Sequence, residues 1–336
     1  AQLPYSSGYQ SMLINAGETK NVGVELTVNT VNFSTKKFSW NTTLTLSHNK
    51  NSVKALTGEA VQLYEAKFGF NQNTHRIAVG EPLGQFYGYI TEGLYQVDDF
   101  NYDASTQTYT LKDGVPYHGD KGQIRPGMWK FKNLTGDDNV IDENDKTVIG
   151  NAQPKFYGGL NNSFTYKGFD LSIFLTFSYG NEVLNATKLV TSKVGSLNYN
   201  ALDVMNSSNR WMTINSDGQK VTDPGELAAL NVGKTVAAYH DAQQGDNYIH
   251  SWAVEDASYL KLSNVTLGYT FPKNLIARVG LKNLRLYATG NNLLTWTKYS
   301  GFDPEVSTMK SGLTPGVDFG AYPLSRSFIF GLNVAF

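Results

Sequence analysis

Hard oxygen donors are concentrated in one loop of this sequence, between Asn133 and Asp145. The stretch reads NLTGDDNVIDEND and includes a glycine that permits a turn. Carboxylate and amide oxygens at alternating positions are the ligands that Ca²⁺ prefers. The same residue types also form tight turns through their own side-chain hydrogen bonds. The loop therefore predicts either a calcium site or a turn stabilised by Asx hydrogen bonds.

The other reactive side chains indicate no catalytic centre. The sequence has no cysteine, which excludes disulfides, a thiol nucleophile and a thiolate metal site. It contains neither a nucleophile elbow, nor a phosphate-binding loop, nor an identifiable carboxylate pair for acid–base work. The histidines are scattered and lack the paired spacing of zinc sites: His48, His75, His118, His240 and His250. We therefore predict that the protein is not an enzyme.

Several aromatic residues fall between the regular segments, where functional side chains often lie. Tyr117, Trp211 and Trp252 are the candidates for stacking on sugar rings of a substrate. The alternative is that these rings only pack the connections together. Both interpretations stay open at the level of sequence.

The composition indicates what kind of element must position these residues. Charged residues make up 17% of the 336 residues, aromatic residues 13%, and the net charge is −1. Low charge with abundant Tyr, Phe and Gly suits strands that face lipid on one side and water on the other. No apolar run is long enough for a transmembrane helix. The near-neutral charge argues against a nucleic-acid partner.

Apolar and polar residues alternate along much of the chain, which predicts β-strands. One strand follows the turn at Lys167 and Gly168, and another occupies the last ten residues. We predict that the apolar residues of these two strands face lipid: Leu171, Ile173, Leu175, Phe328, Phe330 and Leu332. Several strands approach the roughly 9–11 residues of a tilted membrane-spanning strand, whereas strands of soluble sandwiches are shorter.

Short and long connections alternate, as they do between the periplasmic turns and extracellular loops of a barrel. The short connections include residues 34–37, 80–82, 167–168 and 272–280. We count about nine strands on this basis. The fold class predicted is all-β, an antiparallel transmembrane β-barrel, with the last strand running inward and Phe336 on the periplasmic side.

A series of motifs resembles SusC/RagA-type TonB-dependent transporters of the outer membrane. The motifs occur in the family's order over nearly the whole chain: GEPLGQFYGY at 80–89, PGMWKF at 126–131, PKFYGG at 154–159, DASYLKL at 256–262, NNLLTWTKY at 291–299 and GFDPE at 301–305. Each motif is weak alone, but their order and spacing together are specific.

This resemblance implies a barrel of about 22 strands around an amino-terminal plug. It also implies coupling to the TonB complex through the plug, a SusD-like surface lipoprotein as a lid, and an oligosaccharide or peptide substrate. Residues 1–336 correspond to the carboxy-terminal section of such a barrel. Plug, TonB box and the preceding strands are then expected on the amino-terminal part of the same transporter, and we expect this chain to be incomplete as a functional unit.

Two site predictions follow from the resemblance. The acidic loop is similar to a calcium loop of the family, with Asp137, Asn139 and Asp145 as the implied ligands of Ca²⁺, the one candidate cofactor. It departs from the family pattern at Asn133 and Asn139 and is one residue longer. The aromatic carboxy-terminal residue, Phe336, is the implied membrane assembly signal.

We predict active nutrient import across the cell outer membrane. One alternative is a passive porin, which would lack a plug and TonB box. A second is a soluble secreted β-protein that binds or hydrolyses carbohydrate.

Overall fold

The computed structural model describes residues 6, 8, 17–57, 61–65, 72–136, 138–192, 200–238, 248–308 and 311–336. Strands dominate this part of the chain. They are β1 (Gly17–Ser34), β2 (Phe38–Leu56), β3 (Val61–Glu65), β4 (Asn73–Ala78), β5 (Gln85–Gly88), β6 (Thr91–Leu94), β7 (Phe100–Asp103), β8 (Thr108–Leu111), β9 (Tyr117–His118), β10 (Trp129–Phe131), β11 (Val140–Ile141), β12 (Thr147–Asn151), β13 (Phe156–Tyr166), β14 (Phe169–Tyr179), β15 (Glu182–Asn185), β16 (Val254–Asp256), β17 (Tyr259–Thr270), β18 (Asn283–Thr297), β19 (Val317–Asp318) and β20 (Ser327–Ala335).

Helices are short and lie in the connections. The α-helices are α1 (Ala186–Thr191), α2 (Pro224–Leu230) and α3 (Lys273–Ile276). Single 3-10 turns occupy Val97–Asp99, Lys121–Gln123, Glu143–Asp145, Asp203–Met205, Ser251–Ala253 and Ala277–Val279. Within the described residues, none of these helices has the length and apolarity needed to span a bilayer.

Seven of the strands form one antiparallel sheet in the order β1-β2-β13-β14-β17-β18-β20. Their lengths run from 9 to 19 residues, so each reaches the roughly 9–11 residues that a tilted strand needs to cross a bilayer. The predicted count of about nine is therefore wrong for this sheet. The alternating segments on either side of residues 80–82 are β4 and β5, which belong to a separate four-stranded sheet with β3 and β12.

The pairing register places the predicted apolar residues on one face of the large sheet. Ile173 lies opposite Val265 of β17, and Phe328 lies in the same row beyond Gly290 of β18. Leu171 heads a second row that ends at Phe330. Because side chains alternate between faces along a strand, the polar residues between them share the opposite face. We call the two sides the apolar face and the polar face.

The large sheet has no core of its own. Among the buried apolar residues of the described chain, Val53 is the only one contributed by the seven long strands. A soluble β-sandwich buries one face of each sheet against the other, and neither face is buried in that way here. The alternation and this exposure together match the wall of a barrel, which confirms the predicted fold class.

The core lies instead in the three long connections, residues 57–155, 180–258 and 298–326, which all leave the same end of the large sheet. One cluster joins Phe86 of the first connection to Leu184 and Ile249 of the second and Val317 of the third. A larger cluster packs Tyr89, Trp129 and Phe131 against Trp211 and Leu227. We call this assembly the loop layer. It holds the described aromatic and acidic candidates at one end of the sheet.

Candidate functional site

Hydrogen bonds between neighbouring strands cover the polar face. Thr43 donates to Asn29, Ser172 donates to Asn161, and Asn264 donates to Asn291. Each pair joins adjacent strands, because these residues lie opposite or diagonal to one another in the register. These side-chain amides and hydroxyls form hydrogen bonds with one another and are still partly exposed, as expected of a surface in contact with water. This face can offer hydrogen bonds to a polar solute.

An ion pair crosses the polar face near the end that carries the short turns. Arg285 of β18 donates from Nε and Nη2 to the two carboxylate oxygens of Asp170 of β14, at 3.0 and 2.6 Å. β17 lies between these two strands, and the side chains of Arg285 and Asp170 meet above Gly268 of β17. The Arg285 guanidinium also stacks on Tyr287, 5.0 Å from the ring centroid. Tyr287 in turn lies against Gly331 of β20, which has no side chain to block the ring.

A cavity of about 400 Å³ opens where the polar face meets the loop layer. Tyr157, Tyr259, Glu182 and Glu305 are among its lining residues. The Glu305 carboxylate accepts a hydrogen bond from the Tyr259 hydroxyl at 2.6 Å and pairs with the Lys261 ammonium. Aromatic rings beside carboxylates and amides can bind either sugar hydroxyls or peptide amides. We call this the mouth cavity.

Neighbouring side chains cover most of the ring surface of the predicted stacking residues. Trp211 is only 1% exposed, so it has no ring face free for a substrate, and this part of the prediction is not supported. Trp252 is partly buried, with Trp129 at 4.9 Å between ring centroids and the Lys188 ammonium 4.1 Å above its ring. Tyr117 packs beside the cluster of Tyr95 and Ile124. The packing alternative is favoured for Trp211 and Trp252, whereas Tyr117 keeps part of its surface free.

Hydrogen bonds organise the acidic loop around Asp145, which is completely buried. Its Oδ1 accepts from the Leu134 and Thr135 amides at 2.7 and 3.0 Å, and its Oδ2 accepts from the Asp142 amide at 2.8 Å. Burial, the largest single influence, raises the pKa of Asp145, but the combined hydrogen bonds hold that pKa below its ordinary value. The carboxylate is thus ionised and already satisfied by N–H donors.

The described structure covers two of the three predicted Ca²⁺ ligands, and Asp145 is held by the backbone amides of its own loop. Asn139 is exposed, and Asp137 lies outside the described residues. Within the described part of the chain, no three His, Asp or Glu side chains come together as a metal-binding group. The neighbouring carboxylates serve turns, since Asp138 accepts from Val140 N and Asp142 accepts from Asn144 N. These contacts favour the Asx-turn interpretation, and Ca²⁺ binding stays a prediction.

Three described histidines, His75, His118 and His250, are buried in the loop layer against aromatic rings, and the last two flank Phe131. His118 lies 5.0 Å from Phe131 between ring centroids, and His250 lies 5.2 Å from the same ring. Burial lowers the pKa of His118 to about 4. Burial, with the nearby Lys188 and His118 charges, lowers the pKa of His250 to about 3. Both imidazoles are therefore neutral at neutral pH, and both pack against Phe131.

Phe336 follows β20 directly, and its side chain is 80% exposed. It continues the row of apolar residues formed by Phe330, Leu332 and Val334. Its role as an assembly signal stays a prediction.

Comparison with known proteins relates the whole chain to one group. TonB-dependent receptor P3 of Formosa agariphila is 34% identical over 341 residues, which cover 99% of this chain and 30% of that protein. TonB-dependent receptor SusC of Bacteroides thetaiotaomicron is 27% identical over 347 residues, covering 100% of this chain and 28% of that protein. The chain is related to SusC-type TonB-dependent receptors. It spans about 30% of the length of these relatives.

Solved structures support the same fold. The RagAB peptide transporter matches with a TM-score of 0.68 and 21% identity, over 100% of this chain and 31% of the transporter chain. The RagAB peptide importer in the open-open state matches with a TM-score of 0.66. No protein-family model matches the sequence. The resemblance read from the ordered motifs is thereby confirmed, and the chain has the fold of part of such a barrel.

Two functional features escaped the sequence analysis. The mouth cavity combines Tyr259 with Glu305, from motifs 256–262 and 301–305, and only the folded loop layer brings these together. The ion pair of Asp170 and Arg285 depends on register across three strands. A usable signal existed for the ion pair, since Asp170 and Arg285 are charged residues at polar-face positions of long strands.

Proposed function

We propose that this chain forms part of the wall and loops of an outer-membrane transporter that imports nutrients with energy from TonB. Two observations together support this proposal. The large sheet has one apolar and one polar face, and the chain is similar over its own whole length to TonB-dependent receptors. The apolar face would contact outer-membrane lipid and the polar face would line the lumen. The loop layer would then face the cell exterior, in line with the long extracellular loops of barrels.

The rest of the barrel must come from other strands. In the described sheet, β1 and β20 each pair on one side only. An unpaired backbone edge in hydrocarbon costs several kcal/mol per group, so only a closed barrel can span a membrane. We infer that the amino-terminal part of the same transporter supplies the missing strands, together with the plug that contacts the TonB complex. A SusD-like surface lipoprotein would cover the loop layer.

The mouth cavity is the best-supported place for a substrate to contact this chain. Tyr157 and Tyr259 offer aromatic surface, while Glu182 and Glu305 offer hydrogen-bond acceptors at its wall. Such a mixture can accept an oligosaccharide or a peptide. Tyr117 stays a proposed stacking residue because its ring is only partly buried.

Uptake by cells that make the full-length receptor tests the proposal. A fluorescent oligosaccharide or a fluorescent peptide should enter only when the receptor is present, and entry should stop when the proton-motive force is dissipated. Tyr157→Ala should reduce uptake, whereas the same change at Tyr322, which is 92% exposed, serves as the control. Uptake that continues without the proton-motive force would indicate a passive porin. Recovery of the receptor in the soluble fraction would indicate a secreted protein.

A further inference from the structure

The upper end of β2 places two basic residues on the apolar face of the large sheet. His48 lies opposite Val24, and Lys50 lies opposite Val22. Val22 and Val24 belong to the apolar face, so His48 and Lys50 point to that same side. Along β2, the apolar row on this face ends at Leu46, and the next two residues on the same face toward the loop layer are the basic residues His48 and Lys50.

Lys155 joins these residues from the segment that precedes β13. The Nδ1 of His48 hydrogen-bonds to the carbonyl oxygen of Lys155 at 2.6 Å, which ties the two segments together. Both lysine side chains are exposed. Of the ion pairs in the described part of the chain, none involves Lys50 or Lys155. Their charges are available to an external group.

A cavity of about 550 Å³ lies between these segments. His48, Lys50, Lys155 and Tyr179 are among its lining residues. We call this the basic cleft. Two carboxylates also line it, Glu182 and Asp256, which accept hydrogen bonds from Asn151 N at 2.7 Å and Ser258 N at 2.9 Å. Among the described ion pairs, neither carboxylate pairs with Lys50 or Lys155.

The basic cleft continues directly into an aromatic patch on the apolar face. Tyr179 stacks on Phe156 with 4.9 Å between ring centroids and 22° between ring planes. Phe156 also meets Phe177 edge to face, at 6.4 Å. Aromatic rings of barrel proteins collect at the membrane–water boundary. If the proposed function is correct, the cleft therefore sits at the level of the lipid headgroups on the loop-layer side.

From this arrangement we propose that the basic cleft binds the phosphate group of an outer-leaflet lipid. This inference rests on the proposed outer-membrane location. The acyl chains of such a lipid would lie along Phe156, Phe177 and Leu46, while Lys50 and Lys155 would pair with its phosphate. Lysines near a membrane surface attract anionic headgroups, and the effect extends over about a Debye length. A free phosphate ion would gain the lysine contacts but not the apolar contacts below them.

The test uses the full-length receptor in nanodiscs of phosphatidylcholine, titrated with fluorescent lipid A, a phosphorylated glucosamine lipid. Lys50→Ala with Lys155→Ala should weaken lipid A binding about thirtyfold, since each lysine near a charged surface contributes about fivefold. Lys36→Ala with Lys37→Ala, at the short turn of the opposite end, should leave binding unchanged. Lys50→Arg with Lys155→Arg should retain it, which separates lost charge from a misfolded variant.

Three outcomes would overturn the inference. Equal lipid A binding by the wild type and the Lys50→Ala, Lys155→Ala receptor would remove the cleft as the site. Inorganic phosphate that competes as well as lipid A would show that free phosphate is the ligand. If the wild-type receptor is absent from the outer-membrane fraction of the cells that produce it, the proposed function is overturned as well. If the receptor is present there but Lys50→Ala with Lys155→Ala leaves lipid A binding unaltered, only this inference is overturned.

Discussion

Arg285 reaches over the backbone of an intervening strand to hold Asp170 with two hydrogen bonds, at 3.0 and 2.6 Å. The contact links β14 to β18, which are not neighbours in the sheet. It is possible because Gly268 of β17 has no side chain: a Cβ there would lie 2.5 Å from both Arg285 Nη2 and Asp170 Oδ1. Bidentate pairs of this kind are among the stronger side-chain contacts in proteins.

Gly268→Ala should therefore displace this ion pair. We expect the refolded receptor to lose roughly 1–3 kcal/mol of unfolding free energy, the usual cost of overpacking. Denaturant unfolding followed by tryptophan fluorescence measures the change. Gly312→Ala is the matched control, since nothing lies within 4 Å of a Cβ there. If both variants unfold at the same denaturant concentration, Gly268 does not make room for the pair.

Ile173→Arg should destabilise the barrel by roughly 2–4 kcal/mol, the cost of a charged residue on a lipid-facing position near the bilayer midplane. The adjacent Ser172 is on the polar face, where its hydroxyl donates to Asn161. Ser172→Arg should cost much less. Because the chain has no cysteine, a single cysteine at either position can also carry a spin label. Water contact at 173 with lipid contact at 172 would invert the two faces.

Asp145→Asn should loosen the acidic loop whether or not Ca²⁺ is present. In asparagine one carboxylate oxygen is replaced by the NH2 group of the side-chain amide, which is a donor. Either the Asp142 N–H or the Leu134 and Thr135 N–H groups would then face another donor. We expect a loss of about 1–3 kcal/mol, measured as faster proteolysis of the loop layer. Asp138→Asn is the control, because among the described residues the Asp138 carboxylate accepts only from the Val140 amide. If chelation with EGTA loosens the wild type as much as Asp145→Asn does, the calcium interpretation gains and the Asx-turn account fails.

The loop layer should lose stability as the pH falls. His118 and His250 have folded-state pKa values of about 4 and about 3, below the unfolded value near 6.5. Their contribution is complete above pH 6.5 and declines as the pH falls toward 4, because the unfolded chain then binds more protons. At pH 5 each histidine should cost roughly 2 kcal/mol.

Proteolysis of the loop layer at neutral pH and near pH 5 measures this effect. His118→Phe keeps a ring beside Phe131 and removes the titrating group, so it should reduce the pH dependence. His48→Gln, at an exposed position, should not. A pH dependence that is identical in wild type and His118→Phe would assign the effect to other groups.

The sequence predicted features that follow from a single strand and missed those that need several segments. Alternation alone places Ile173 and Ser172 on opposite faces, because the pleat of a strand determines this. The partnership of Asp170 with Arg285 depends on the register of three strands, which alternation does not specify. Trp211 looks like an accessible loop residue in sequence, yet packing from distant parts of the connections buries it. Residues of β4 and β5 alternate like wall strands, and only their partners assign them to another sheet.

The loop layer has a consequence for the order in which this chain can fold. Phe86 and Val317 pack in one cluster, although about two thirds of the 336 residues separate them. Contacts so distant in sequence form late, since the ordering of the intervening chain must come first. In the proposed outer-membrane setting, the three connections would reach the cell surface before their shared core exists. The cluster around Phe86 would stay incomplete until the third connection arrives with Val317, whereas the larger cluster needs only the first two connections.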